Sequence, residues 1–235
     1  MKVQVLSSIG EHRFYVATAI GVIIVVLAGF SIDLPLLSHP ERMTVLVRMH
    51  GVIMLTWIAL FFAQALLVAR HRVDIHMRLG VFGAALAVAV VIADTATLIT
   101  ASRLGEEHMP PHMSAPLFLA LGVFNLCTFA VLVGTAIVLR KRRGDWHKRL
   151  MLLAVLLLLD AAVARFITHY TPWTVDPSTV RNVLVLACVA VDTFRIRRLH
   201  PAFMVGGVPV IANDYIATWT AGTPVWLHFT GMLLT

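Results

Sequence analysis

The chain has 235 residues, of which 59% are hydrophobic and only 13% charged, with a mean hydropathy of +0.87. Soluble domains run at roughly 45–50% apolar and about 25% charged, so this composition excludes an ordinary water-soluble globule. The formal net charge is +7 at pH 7, but the cations cluster in short segments between apolar runs, which points to membrane orientation and away from nucleic acid.

Seven apolar runs are long enough to cross a hydrocarbon core of roughly 30 Å as helices. They cover 14–32, 45–69, 78–101, 115–139, 150–170, 178–194 and 202–221. The expected fold is therefore an all-α polytopic transmembrane helical bundle forming one domain over 1–235, with about seven spans. Residues 222–235 form an outer C-terminal segment whose Trp226 suits the membrane interface. The first run follows "MKVQVLSSIGEHR" and has no small-x-small cleavage site behind it, so it reads as an uncleaved span. Gly206, Gly207 and Pro209 interrupt the last run, in the manner of a broken transporter helix. Cys127 and Cys188 both lie within apolar runs and read as small core residues, not a disulfide.

The basic loops set the orientation. Arg70, Arg72 and Arg78 flank one connection; Arg140, Lys141, Arg142, Arg143, Lys148 and Arg149 another; Arg195, Arg197 and Arg198 a third. These loops, together with Lys2 and Arg13, are expected on the cytoplasmic side of a bacterial inner membrane. Seven spans then leave the C-terminus in the periplasm.

One phrase occurs twice: "DIHMRL" at 74–79 and "DWHKRL" at 145–150. Aligning the two makes spans two and three one hairpin, and spans four and five a related one. Asp74 and Asp145 are expected to cap the returning helices, with Arg78 and Arg149 at headgroup level. His76 and His147 have no such explanation. The same alignment sets Asp94 level with Arg165, each 16 residues beyond its hairpin's arginine, roughly 24 Å along a helix. Because an unpaired charge in the membrane costs at least about 2.5–3.5 kcal/mol, a buried Asp94–Arg165 ion pair is expected.

Span two carries His50, Met54, Trp57, Phe61, Gln64 and Val68 at alternating spacings of four and three, which places them on one helix face. His50 and His169 lie at similar depth on the outer side, and His76 and His147 on the inner side. Neutral imidazoles on facing helices can fill both axial positions of a b-type haem, with Arg48 and Arg165 matching its propionates. The outer loop "EEHMPPHM", with His108, Met109, His112 and Met113, offers a copper-type ligand set of imidazole and thioether, and His39, Met43, Met49 and His228 are candidates for the same face. Asp160, Asp192 and Asp214, with Asn125, Asn182 and Asn213, lie in or at the ends of spans, where carboxylates suggest proton or ion pathways. No Walker-type loop, GxSxG, HExxH or repeated CxxC is present, and span seven has no lysine for a retinal Schiff base.

The phrases "MHGVIMLTWIALFFAQALLVARHRVDIHMRLG", "RKRRGDWHKRLMLLA", "AAVARF" and "RLHPAFMVGG" resemble a bacterial group of multi-span membrane proteins with H-x-R-L-G and H-K-R-L-M hairpins. The likeness covers roughly 45–220, and the "EEHMPPHM" loop stands outside it. It implies a helical bundle with His50, Gln64, His76, His147, Arg165 and His200 as recurring residues, and no settled activity. A looser similarity to cytochrome b561-like bundles rests on paired histidines at both membrane faces. Three functions stand open at this level: a redox subunit carrying haem b or meeting a quinone, a copper or ion transporter, and a cofactor-free accessory subunit of a larger membrane complex or homo-oligomer. No nucleophile and base can be placed together, so catalysis proper is not indicated.

Overall fold

A computed structural model of the chain describes residues 2–31, 44–105, 109, 113–172 and 175–234. Among the described residues there are nine α-helices and no strand. They are α1 (Lys2–Phe30), α2 (Val45–Ala69), α3 (Val73–Leu104), α4 (Ala115–Leu139), α5 (Gly144–Leu157), α6 (Asp160–Tyr170), α7 (Pro177–Ile196), α8 (Pro201–Ala221) and α9 (Pro224–Leu234).

Five segments are long and apolar enough to cross a membrane: His12–Phe30 of α1, all of α2, α3 and α4, and Gly144–Tyr170, which joins α5 to α6. Their outward faces are apolar, with Ile24, Val52, Val81, Ile92 and Val138 each more than half exposed. A surface of that kind suits lipid, not water. The outer surfaces of α7 and α8 are similar, with Phe194 and Trp219 both 74% exposed, but charged or amide side chains in their interiors make them less apolar overall.

Local signals fix the helix starts. Thr44 accepts from the Val47 N–H at the head of α2, Asp176 accepts from the Ser178 N–H before Pro177 of α7, and the His200 ring accepts from the Ala202 N–H before Pro201 of α8. Asp74 and Asp145, by contrast, do not cap α3 and α5. The cap positions fall on Arg72 and Arg143, and both acids lie inside the first turn, where a negative charge meets the positive end of the helix.

The bundle is built around α5. Leu152 to Leu157 are each no more than 2% exposed. Six consecutive buried residues face every direction around a helix, so α5 is enclosed on all sides. It packs against α1, α4, α7 and α8, while α2 and α3 join through α1 and α4. Gly206 of α8 permits the closest of these approaches, since a Cβ there would stand 2.8 Å from Leu150 and 2.9 Å from Leu153.

Two features depart from the sequence reading. The expected interruption at Pro209 does not occur: α8 runs unbroken from Pro201 to Ala221 with the proline inside it. Gly206 before it serves close packing, and Pro209 itself lies on the exposed side of the helix. The break lies in span five, where the Leu158 and Leu159 N–H groups bond to Val155 and Leu156 carbonyls, both at 3.2 Å, before regular helix resumes. That tightened turn ends α5 and starts α6 at Asp160.

Candidate functional site

At the end of the bundle that carries the basic connections, the two repeated phrases meet. The His76 and His147 rings stand 6.4 Å apart between centroids and nearly perpendicular, at 84°. Each is anchored through Nδ1. His147 Nδ1 donates to the Ala136 carbonyl at 2.9 Å. His76 Nδ1 accepts from the Gln64 amide at 2.7 Å, while the Gln64 oxygen accepts from the Gly80 N–H at 3.1 Å. Neither Nε2 has a hydrogen-bond partner among the described residues. The span-two face therefore turns inward as its spacing implies: Gln64 holds His76, and Trp57 packs edge-on against Phe129 of α4 at 5.2 Å.

The opposite-end pair does not form. His50 Nδ1 lies 2.9 Å from Asp94 Oδ1, joining α2 to α3. His169 is exposed at the far end of α6, edge-on to Tyr170, and α6 packs on α1 and α7 instead of α2. The expected Asp94–Arg165 ion pair fails for the same reason. Arg165 lies over the Phe30 ring at 4.5 Å and donates to the Ala161 carbonyl. The repeat offset measures depth along a helix but not direction around it, and the two helices face different neighbours. Arg48 is exposed near the start of α2. Of the proposed copper ligands, His108 and His112 lie outside the described residues, as do His39 and Met43; Met109 is 8% exposed and Met113 half-buried.

The buried charges lie elsewhere. Arg149 of the second hexapeptide turns into the bundle: its side chain is 3% exposed and pairs with Asp192 of α7, itself 1% exposed, through Nε at 2.8 Å and Nη2 at 2.7 Å. Arg149 also donates to the Asp145 carbonyl, whose carboxylate accepts from His200 Nε2 at 2.9 Å. This chain of contacts ties α5 to α7 and α8.

Further along the bundle, Arg181 of α7 is completely enclosed and bonds to two carboxylates, Asp160 at the helix break and Asp214 of α8. It also donates to the Asn182 side chain and the Val210 carbonyl. Beside it, the Asn213 amide donates to Asn125 at 2.8 Å and accepts from Thr128 at 2.9 Å, carrying the polar network to α4. Asp160, Asp192, Asp214 and the asparagines were visible as intramembrane polar residues. Arg181 stands outside that set, although a guanidinium at the fourth position of the expected 178–194 span is as strong a signal as a carboxylate there.

No family model, curated protein or solved structure matches the chain.

Proposed function

We propose that the protein is a bacterial inner-membrane redox subunit, and that His76 and His147 are the ligands of its metal centre, with haem b the cofactor that best suits two imidazoles. The reading includes α7 and α8 as sixth and seventh spans and puts the basic connections and N-terminus in the cytoplasm, the C-terminus in the periplasm. The observation that carries it is the 6.4 Å ring separation. Two imidazoles sharing one metal, each with a ring nitrogen at about 2.0–2.1 Å from it and about 1.1 Å between nitrogen and ring centre, would stand at most roughly 6.3 Å apart, and the observed separation lies at that limit.

The anchoring fits as well. A metal-bound histidine ordinarily donates its other N–H to a carbonyl or carboxylate, as His147 does to Ala136. His76 reaches the same state when the Gln64 amide turns over and presents its oxygen to Nδ1, giving up the Gly80 bond. Bound there, the group supplies one-electron chemistry near the cytoplasmic face, where a quinone or a soluble donor has access. The chain's own part is to hold two rings on two hairpins and surround them with fixed dipoles.

The test is an absorption spectrum of the purified full-length protein. A dithionite-induced Soret and α-band, lost in both His76→Ala and His147→Ala and kept in His50→Ala and His169→Ala, supports the reading; a colourless protein without bound iron overturns it. Copper by elemental analysis moves the assignment to a copper-handling role.

A second reading has its own support. Arg181 between two acids, at a break in a spanning helix, is an arrangement suited to proton or ion movement. Proteoliposome flux that falls in Asp160→Asn while the spectrum stays featureless favours that reading.

A further inference from the structure

A histidine stands where a helix end ordinarily takes a glycine. Arg70 caps α2, and His71, the next residue, has φ +57°. That left-handed conformation is the usual place of a glycine just past a helix, and a residue with a side chain is strained there. Strain of this kind collects at functional sites. In this turn the His71 imidazole lies against α1, where it meets the His12 ring at 5.7 Å between centres and 74° between planes.

The two rings head a groove of about 490 Å³ between α1 and α2. Val16 and Ile20 line it from α1, Leu66 and Ala69 from α2. Its volume falls within the roughly 300–1,000 Å³ of small-molecule sites, which pair apolar walls with a few convergent polar groups. From His12 to Ile20 the groove follows about 12 Å of helix, within one leaflet of a hydrocarbon core roughly 30 Å thick. The apolar stripe then continues along α1 through Ile24 and Leu27, both more than half exposed. An imidazole can donate a hydrogen bond without carrying a charge. Two N–H donors that share one acceptor oxygen, each at about 2.9 Å from it, hold their nitrogens no more than about 5.8 Å apart. Rings 5.7 Å apart can therefore turn a nitrogen each to one carbonyl.

Helix α2 is the wall between this groove and the imidazole pair of the candidate site. Gln64 reaches His76 from one face of α2, and Leu66, two residues on and about 200° around the axis, lines the groove on the other. A helix with its side chains is about 10–12 Å across, so about one helix diameter separates the two sites.

We propose that this groove binds a quinone, its ring between α1 and α2, one carbonyl accepting from His12 and His71, and its apolar tail on the Ile20–Ile24–Leu27 stripe. The paired donors select a carbonyl over a hydrocarbon, and the apolar walls take the ring. The use of such a ligand rests on the redox reading above; the shape of the site does not.

The test is isothermal titration of the detergent-solubilised full-length chain with decylubiquinone and with decylbenzene, which shares the tail and lacks the carbonyls. Decylubiquinone is expected to bind at least about tenfold more tightly, as two hydrogen bonds would give, and equal affinities overturn the proposal. His71→Gly removes one donor at a position whose backbone suits glycine, so the melting temperature is expected not to fall while decylubiquinone binds about fivefold more weakly. His12→Phe keeps a ring in place and is expected to weaken binding by a similar factor. Unchanged affinity in both variants overturns the site. Displacement of decylubiquinone by dioleoylphosphatidylglycerol as readily as by menadione assigns the groove to lipid and overturns it too. Selective quinone binding by a protein without a haem spectrum keeps this site and removes the metal centre, whereas a haem spectrum without quinone selectivity removes this site alone.

Discussion

Two arginines are buried among the described residues, and their surroundings differ by one charge. Arg149 faces a single carboxylate, Asp192, and the pair is neutral. Arg181, fully enclosed, faces Asp160 and Asp214 and is outnumbered. The same guanidinium is thus a closed structural tie in one place and an unbalanced centre in the other. The first locks α5 to α7 near the basic end; the second gathers the helix break, α7 and α8 around a group that holds one acid too many. Balanced ion pairs hold helices together, and imbalance is where a protein can accept a proton or a cation.

The largest effect expected from breaking this contrast is Arg181→Met. It leaves two half-buried carboxylates without their base, a loss of about 3–5 kcal/mol, read as a collapse of thermal stability in detergent. Next comes Arg149→Met, which leaves Asp192 uncompensated at a cost of about 3–5 kcal/mol; adding Asp192→Leu is expected to recover most of it, because an apolar pair replaces a neutral ionic one. Recovery of Arg181→Met by one added Asp→Leu change would erase the distinction between the sites. The smallest effect is the sharpest: Asp160→Asn removes the surplus charge and is expected to change stability by no more than about 1 kcal/mol, whereas Asp192→Asn strands Arg149 and costs about 3 kcal/mol or more. Equal losses in the two variants would show that the extra acid is compensated by something else.

Much of the fold was legible in the sequence, because apolar run length is a direct consequence of bilayer thickness. The expected limits 45–69 and 115–139 coincide with α2 and α4. The meeting of His76 with His147 was implied by the repeated hexapeptide, and the inward face of span two by its spacing. What sequence could not supply is direction around a helix axis. Asp94 and Arg165 share a depth yet belong to different neighbours, and Arg149 looked like a headgroup anchor until Asp192 was seen opposite it. The break at Leu158–Leu159 was hidden for another reason: no glycine or proline marks it in an otherwise continuous apolar run. Pro209 gave the opposite error, an obvious breaker held inside an intact helix.

The ion pairs also bear on how the protein is made. Arg149 precedes its partner Asp192 by 43 residues, and Asp160 precedes Arg181 by 21. As the chain emerges during synthesis, the α5–α6 span therefore reaches the bilayer with a bare cation and a bare anion, and α7 arrives carrying both complements, Asp192 and Arg181, the second of which still needs Asp214 of α8. Each of these segments is poorly suited to enter lipid alone, and each becomes suited only beside the next. The α5–α6 span, α7 and α8 are expected to be handled by the insertion machinery as one assembled group, while α1 to α4 enter singly.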